Sequence, residues 1–186
     1  MTTIEARTCT AKNGQTFVIR SARPDDALAI YTINEQALVE GSYHISEPQE
    51  FTMTVADEET WIRQHAERPA DVTLVADLDG AVVGAIFFEA GERKRLSHSG
   101  ELVMNVAPAW REQGVGRCLL ETLIAWATQH PQIERVGLRA LSTNERALHL
   151  YSRVGFVEDG RRPKAIKLGP GHYVDEVLMY RFVKSV

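Results

Sequence analysis

The chain has 186 residues, the length of one ordinary domain, and its 44% hydrophobic and 25% charged residues are typical of a folded globular protein. This composition excludes a disordered chain, a collagen-like fibre and a low-complexity scaffold, and no apolar run approaches the roughly 20 residues of a membrane-spanning helix. The net charge of −4 argues against a dedicated nucleic-acid-binding protein.

The first half of the chain predicts a strand, two helices and a hairpin. Residues 1–16 are polar and carry the turn signal Asn13-Gly14, so we expect a tail or a short hairpin there, before a single domain at 17–186. Arg23-Pro24-Asp25-Asp26 is typical of a helix start, and Asp79-Gly80 of a tight hairpin turn. The predicted elements are a strand at 17–20, a helix to about 39, a loop at 40–54, a helix at 57–66 and strands at 72–78 and 81–90.

The second half alternates strands and helices. The predicted elements are strands at 101–106 and 135–141, helices at 116–128 and 144–154, a strand that starts at 156–158 and a last strand at 173–183. The sequence Ser142-Thr143-Asn144-Glu145 fits a capping box at the start of the second helix. Strand–helix–strand alternation requires a parallel pair and hairpins require antiparallel ones, so we expect an α/β fold with a mixed central sheet and helices on both faces.

The cysteines and histidines indicate no metal site. Cys9 and Cys118 form no disulfide framework, and the six histidines are scattered, without a metal-ligand spacing. The N-terminal segment has no apolar core of the signal-peptide type. We therefore expect a cytoplasmic protein without a metal ion and without a membrane partner.

The segment that follows the strand at 101–106 carries the clearest chemical signal. Its residues are Arg111-Glu112-Gln113-Gly114-Val115-Gly116, and they open an amphipathic helix. Glycines let the backbone approach a phosphate, and the first amides of a helix have no internal partners and favour negative charge. A Gly-x-Gly sequence before a helix is also an ordinary turn. The dinucleotide-binding pattern G-x-G-x-x-G is excluded because residue 119 is Leu.

Two motifs resemble those of the GNAT superfamily of N-acetyltransferases. Val106-x-Pro108-x-x-Arg111-x-x-Gly114-x-Gly116 is similar to its acyl-CoA-binding motif. Asn144-x-x-Ala147-x-x-x-Tyr151-x-x-x-Gly155-Phe156 is similar to a segment that follows it in that family. The ending, Gly171-x-Tyr173-x-Asp175-x-x-x-Met179, resembles a bacterial subgroup that acetylates small amines or amino acids.

The resemblance implies a particular fold and a co-substrate, acetyl-CoA. The sheet is expected to be mostly antiparallel, with about seven strands and one splayed parallel pair at 101–106 and 135–141. Met104, Asn105 and Val106 would pair with the pantetheine arm, a β-bulge in their strand would aim an amide at the acetyl oxygen, and residues 111–116 would bind the pyrophosphate. Asn144 would face the cofactor as well, although its position also suits a residue that caps the helix.

The implied reaction is direct attack of an amine on the thioester. Tyr151 would hydrogen-bond to the leaving sulfur, although a core tyrosine is the alternative reading; proton transfer from a tyrosine of pKa near 10 to a thiolate near 8.5 is uphill by about 2 kcal/mol. Glu101 is the first candidate for the general base, His98 is the second, and water is a third possibility.

Three functions remain open at this point. The first is an N-acetyltransferase of a small-molecule primary amine, such as an amino acid, a polyamine or an antibiotic. The second is a peptide or protein N-terminal acetyltransferase, and the third is a non-catalytic acyl-CoA-binding regulatory module. Many relatives of this class are homodimers, and the C-terminal strands are candidates for the interface.

Overall fold

In the computed structural model, which describes residues 3–41 and 43–185, eight strands form a single sheet. The ends of the predicted N-terminal segment and domain, residues 1–2 and 186, lie outside this description, as does Ser42 of the predicted loop. The strands are β1 Arg7–Thr10, β2 Thr16–Ser21, β3 Val72–Leu78, β4 Ala81–Ala90, β5 Ser99–Val106, β6 Arg135–Leu141, β7 Val157–Gly169 and β8 His172–Phe182. Their order across the sheet is β1-β2-β3-β4-β5-β6-β8-β7.

Four helices cover the two faces of this sheet. They are α1 Ala27–Glu40, α2 Val55–Glu67, α3 Val115–Gln129 and α4 Glu145–Arg153. Side chains of a strand alternate between faces, and the two core clusters follow this alternation. Leu74 of β3 packs in the cluster that contains α3 and α4, whereas the next residue, Val75, packs with Ile30 and Ile62 of α1 and α2. Among the described helices, none is long and apolar enough to span a bilayer.

The predicted architecture, a mostly antiparallel mixed sheet with helices on both faces, is confirmed. There are eight strands where about seven were expected. The additional strand is β1, which pairs antiparallel with β2 from Arg7↔Ile19 to Thr10↔Thr16. Its four residues are too few, and too polar, to give a strand pattern in the sequence.

Strands β5 and β6 form the parallel pair and then diverge. Their parallel register runs only from Ser99↔Arg135 to Glu101↔Gly137, although β5 continues to Val106 and β6 to Leu141. The splayed pair is therefore confirmed, and it opens immediately after Glu101. The bulge predicted in β5 is wrong, because β5 pairs with β4 without a register shift from Gly100 to Val106.

Gly100 fixes the closed end of this splay. A Cβ atom at this position would lie 2.2 Å from the carbonyl oxygen of Glu89 and 2.4 Å from the Phe88 ring. No side chain fits at these distances, because real Cβ atoms essentially never come within 3.0 Å of such neighbours. The glycine thus lets β4 and β5 approach closely just before the gap begins.

Helix α2 and strand β7 both extend beyond their predicted boundaries. Helix α2 begins at Val55, because Thr54 accepts a hydrogen bond from the Asp57 amide and Asp57 accepts one from the Thr54 amide, which together form a capping box. Strand β7 has 13 residues, far more than the start predicted at 156–158. It is an edge strand that is exposed along most of its length, so its charged sequence carries no apolar alternation.

Candidate active site

The diverging strands β5 and β6 open a cleft of about 870 Å³, within the size range of small-molecule sites. Its walls come from β5, β6, α4, the start of α3 and the segment after α1. It gathers ten of the residues predicted from the sequence, namely Glu101, Met104, Asn105, Val106, Arg111, Glu112, Gly114, Gly116, Asn144 and Tyr151. Two predicted residues do not line it. Val115 is fully buried in the core, and Gln113 is half-buried beside it.

The start of α3 forms one end of the cleft. Gly114 is the N-cap residue, with φ +94°, and Glu112 also has a positive φ of +62°. A backbone bond from the Lys12 amide to the Gln113 carbonyl oxygen, 3.0 Å long, ties this turn to the β1–β2 hairpin. The first amides of a helix lack intrahelical acceptors and lie at the positive end of its dipole. This end of the cleft is therefore built to bind an anion.

Arg111 is held on both sides. Its Nε donates to the Val106 carbonyl oxygen at 3.1 Å, and its Nη1 donates to Glu40 Oε2 at 2.5 Å. The guanidinium thus joins the end of β5 to the end of α1. Burial and the Arg111 charge lower the pKa of His44, which lines the cleft nearby. An anion that reaches Arg111 would compete with the Glu40 carboxylate.

Asn144 begins helix α4. Its Oδ1 accepts a hydrogen bond from the Ala147 amide at 3.2 Å, which is the geometry of an N-cap. The predicted capping box at 142–145 is wrong, because Ser142 bonds instead to Asp175 of β8. The Ser142 hydroxyl oxygen accepts from the Asp175 amide at 3.2 Å, and the Ser142 amide donates to the Asp175 carbonyl oxygen at 2.9 Å. Asn144 also lines the cleft, so its role as a helix cap is compatible with the predicted contact to the cofactor, which stays a prediction.

Tyr151 of helix α4 lines the cleft. The side chain is only 7% exposed, and burial raises its pKa to about 12. In the part of the chain that the structure describes, no residue hydrogen-bonds to the Tyr151 hydroxyl. Tyr151 therefore stays protonated at physiological pH and has a donor available for a ligand in the cleft.

Glu101 lies where the cleft begins. Its Oε2 accepts two hydrogen bonds from Arg139, from Nε at 2.9 Å and from Nη2 at 2.6 Å. Arg139 Nη1 lies 3.9 Å from Oε1 of Glu176, a buried residue of β8. His98 is exposed, precedes β5 at the closed end of the splay and does not line the cleft. The structure thus brings Glu101, and not His98, to the cleft.

The cleft also contains residues that were not predicted from the sequence, among them Glu40, His44, Arg139 and Glu176. Glu40 and His44 come from the end of α1 and the segment after it, which meet the cleft only through the tertiary fold. Arg139 and Glu176 are charged residues within strands, and a charge at a strand position is the signal by which they could have been noticed.

A cluster of metal-ligating side chain types lies apart from the cleft. His65 Nε2 is 3.6 Å from Asp71 Oδ2 and 4.0 Å from Glu89 Oε1. The guanidinium of Arg68 already supplies a positive charge here, with its Nε 2.7 Å from Asp71 Oδ2. Asp71 Oδ1 accepts a hydrogen bond from the Ala90 amide, so the cluster connects the α2–β3 turn to the end of β4. We assign it a structural role; the absence of a metal stays a prediction.

Known proteins match both the sequence and the fold. A profile of the Acetyltransferase (GNAT) family matches residues 37–156. The L-amino acid N-acetyltransferase AaaT of Escherichia coli (strain K12) is 30% identical over 166 residues, which are 89% of this chain and 97% of that protein. The phosphinothricin N-acetyltransferase of Alcaligenes faecalis is 30% identical over 167 residues, 88% of this chain and 81% of that protein. The structure of yncA from Salmonella typhimurium with its cofactor acetyl-CoA has the same fold, with a TM-score of 0.82, 22% identity and coverage of 91% and 95% of the two chains.

Proposed function

Because this chain belongs to the Acetyltransferase (GNAT) family, we propose that it transfers the acetyl group of acetyl-CoA directly to the primary amine of a small molecule. Family membership makes the chain an N-acetyltransferase with acetyl-CoA as its co-substrate. The acceptor, an amino acid, a polyamine or an antibiotic-like amine, is our proposal. The observation that carries it is the cleft itself, with an anion-binding helix start at one end, Tyr151 in its wall and the Glu101 carboxylate at the other end.

The proposed acetyl-CoA site follows the length of the cleft. The phosphates would lie against the amides at 111–116, with Arg111 as a charged donor. The pantetheine arm would lie between the splayed strands, where Met104, Asn105 and Val106 of β5 have no β6 partner. Asn144 would contact the arm from the start of α4. This path brings the thioester close to Tyr151.

The proposed reaction transfers one acetyl group and removes two protons from the nitrogen. The amine nitrogen attacks the thioester carbon, a C–N bond forms, and the C–S bond breaks as the thiolate leaves. A lysine-like ammonium of pKa about 10.4 is only about 0.1% neutral at pH 7, a cost of roughly 4–5 kcal/mol, whereas an α-amine of pKa about 8 costs far less. Glu101 would take the ammonium proton before the attack, directly or through water, and the second proton would leave the nitrogen to water as the amide forms. Tyr151 would donate a hydrogen bond to the sulfur of the leaving thiolate, which water then protonates.

Glu101→Gln is expected to lower kcat by roughly 10- to 100-fold, because the amide keeps an oxygen for Arg139 but cannot accept the acceptor's proton. The affinity for acetyl-CoA should not change. The matched control is His98→Gln, which replaces the other candidate base and should leave kcat at the wild-type value. Steady-state assays of free-thiol release measure both variants. The opposite pattern would assign the base to His98, and two unaffected variants would assign it to water.

Glu40→Gln is expected to tighten acetyl-CoA binding by roughly two- to five-fold, because it removes the carboxylate that competes for Arg111. The matched control is Glu35→Gln, an exposed glutamate earlier in α1 that removes the same charge outside the cleft. Isothermal titration calorimetry with acetyl-CoA compares the two. Equal dissociation constants in the two variants would mean that Glu40 does not compete with the phosphates.

The acceptor class is tested by free-thiol release from acetyl-CoA. Purified protein is assayed with a panel of amino acids, polyamines, aminoglycosides and short peptides. Turnover of one of the small amines is the expected result. Turnover of peptides alone would replace the proposal with a peptide N-terminal acetyltransferase, and no turnover of any amine by protein that binds acetyl-CoA would overturn it.

We also propose that the enzyme is cytoplasmic, as expected from the sequence, and that it is a homodimer, as many relatives of this class are. Support comes from the end of the sheet formed by β7 and β8, where three large apolar side chains are about half exposed, Val157, Tyr173 and Phe182. Strand β7 is an edge strand, so its outer backbone groups are available for a second copy.

A further inference from the structure

The acceptor end of the cleft carries charges of alternating sign on four neighbouring strands. In the order of the sheet, these are Glu101 on β5, Arg139 on β6, Glu176 on β8 and Arg162 on β7. Arg139 pairs with Glu101, and Arg162 Nη1 donates to Glu176 Oε2 at 2.8 Å. The two acidic residues and Arg139 line the cleft, so a ligand there meets a cation between two carboxylates.

The hydrogen bonds of Arg139 leave part of its guanidinium unused. Both of its bonds, from Nε and from Nη2, go to one oxygen, Glu101 Oε2. Its Nη1 is 3.9 Å from Glu176 Oε1, which is too far for a hydrogen bond. Within the described residues, Nη1 therefore has no hydrogen-bonded acceptor. The side chain is 49% exposed, so a ligand can reach this edge of the guanidinium.

Stability alone gives little reason for a cation at this place. Ion pairs that are about half exposed typically contribute about 0–1 kcal/mol, since water screens them and the side chains lose freedom. Arg139 and Glu101 are both in this class, with side chains 49% and 53% exposed. A simple amine acceptor, which arrives as a cation, would be repelled by Arg139. Beyond its contact with Glu101, the positive charge favours an acceptor that also carries a negative group.

We propose that Arg139 binds a carboxylate of the acceptor, so that the enzyme acts on free amino acids rather than on polyamines or peptide N-termini; this inference rests on the proposed function. A carboxylate accepts two parallel hydrogen bonds from a guanidinium, and the Nη1 edge offers that geometry. An α-amino acid carries its ammonium and carboxylate on adjacent atoms. One molecule can therefore place its ammonium at Glu101 and its carboxylate at Arg139, two residues that contact each other at 2.6 Å.

The same arrangement discriminates against the other acceptors. A polyamine brings further ammonium groups, which Arg139 repels. A peptide N-terminus has a neutral amide where an amino acid has its carboxylate, so it brings no anionic group to the Nη1 edge of Arg139. The specificity is thus set by charge, independently of the amino acid's side chain.

The test compares an amino acid with its own carboxamide, using the L-amino acid that the wild-type enzyme acetylates fastest. Arg139→Gln is expected to lower kcat/KM for the amino acid by roughly 10- to 100-fold, mainly through KM, because a charge-assisted hydrogen bond is lost. The carboxamide should be acetylated by Arg139→Gln as well as, or better than, by the wild type. Arg139→Lys should retain part of the preference for the acid, and the acetyl-CoA dissociation constant should stay unchanged.

Arg161→Gln is the matched control. Arg161 lies on β7, is paired with Glu158 at a similar exposure and does not line the cleft, so it should keep the wild-type preference. An equal loss for acid and carboxamide in Arg139→Gln would overturn the inference, as would a wild-type enzyme that prefers carboxamides or polyamines; both results leave the N-acetyltransferase standing. Failure of the wild type to acetylate any amine would instead overturn the proposed function and this inference with it.

Discussion

Replacing Gly114 with tryptophan is expected to weaken acetyl-CoA binding by roughly 1,000-fold or more, as measured by isothermal titration calorimetry. A Cβ atom at Gly114 would have no protein atom within 4 Å. The indole would therefore extend into the cleft, over the amides at the start of α3 to which we assign the phosphates. Two or more charge-assisted hydrogen bonds would be lost together.

The matched control is Gly80→Trp in the β3–β4 turn. Gly80 has φ +91°, close to the +94° of Gly114, and a Cβ atom there also has no neighbour within 4 Å. A side chain at such a φ costs roughly 1–2 kcal/mol in either place. Both variants should therefore lose similar stability in thermal unfolding, and only Gly114→Trp should lose acetyl-CoA. Similar acetyl-CoA affinities in the two variants would contradict the phosphate assignment.

Tyr151→Phe is expected to lower kcat by roughly 100- to 1,000-fold, the effect of removing one hydrogen-bond donor to a developing negative charge. The dissociation constant for acetyl-CoA should hardly change, because the ring and its contacts remain. The melting temperature should not fall either, since the hydroxyl has no partner among the described residues and its removal leaves no group unpaired. Tyr180→Phe, outside the cleft, is the matched control. Unchanged turnover in Tyr151→Phe would remove Tyr151 from the mechanism.

The raised pKa of Tyr151 also defines how it acts. Proton transfer from a phenol of pKa about 12 to a thiolate near 8.5 is uphill by roughly 5 kcal/mol, more than the 2 kcal/mol expected for an ordinary tyrosine. We therefore expect Tyr151 to stabilise the thiolate by a hydrogen bond, while the sulfur takes its proton from water. Because the phenol stays protonated well above pH 10, kcat/KM should rise as the acceptor amine deprotonates, and Tyr151 should cause no decline below pH 10.

The sequence predicted those parts of the site in which the relevant residues lie close together within a short segment of the chain. The turn at 111–116 and the helix that carries Asn144 and Tyr151 each combine a local pattern with their chemistry, and both line the cleft. The splay of β5 and β6 was also expected, through the resemblance to a family. A glycine turn and a helix start are each defined by a few neighbouring residues, so both can be recognised in the sequence.

The remaining features depend on contacts between distant residues. Glu40 meets Arg111 only because the end of α1 reaches the end of β5, and no sequence spacing encodes that contact. Arg139 is a charged residue in a largely apolar strand, β6. Its partner Glu101 lies on β5, and helix α3 separates the two strands in the sequence. Strand β7 was predicted only at its start, because most of it is exposed to solvent. Burial of one face is what gives a strand alternating apolar and polar residues.

The bond between the Lys12 amide and the Gln113 carbonyl oxygen has a practical consequence for handling the protein. Through this bond the β1–β2 hairpin acts as a brace for the loop at 111–116. The sequence suggested only a tail or a short hairpin at residues 1–16. An expression plasmid that starts at residue 17 would remove β1 and this brace together. Affinity tags are therefore better joined ahead of the complete hairpin, with a spacer long enough to stay away from the mouth of the cleft.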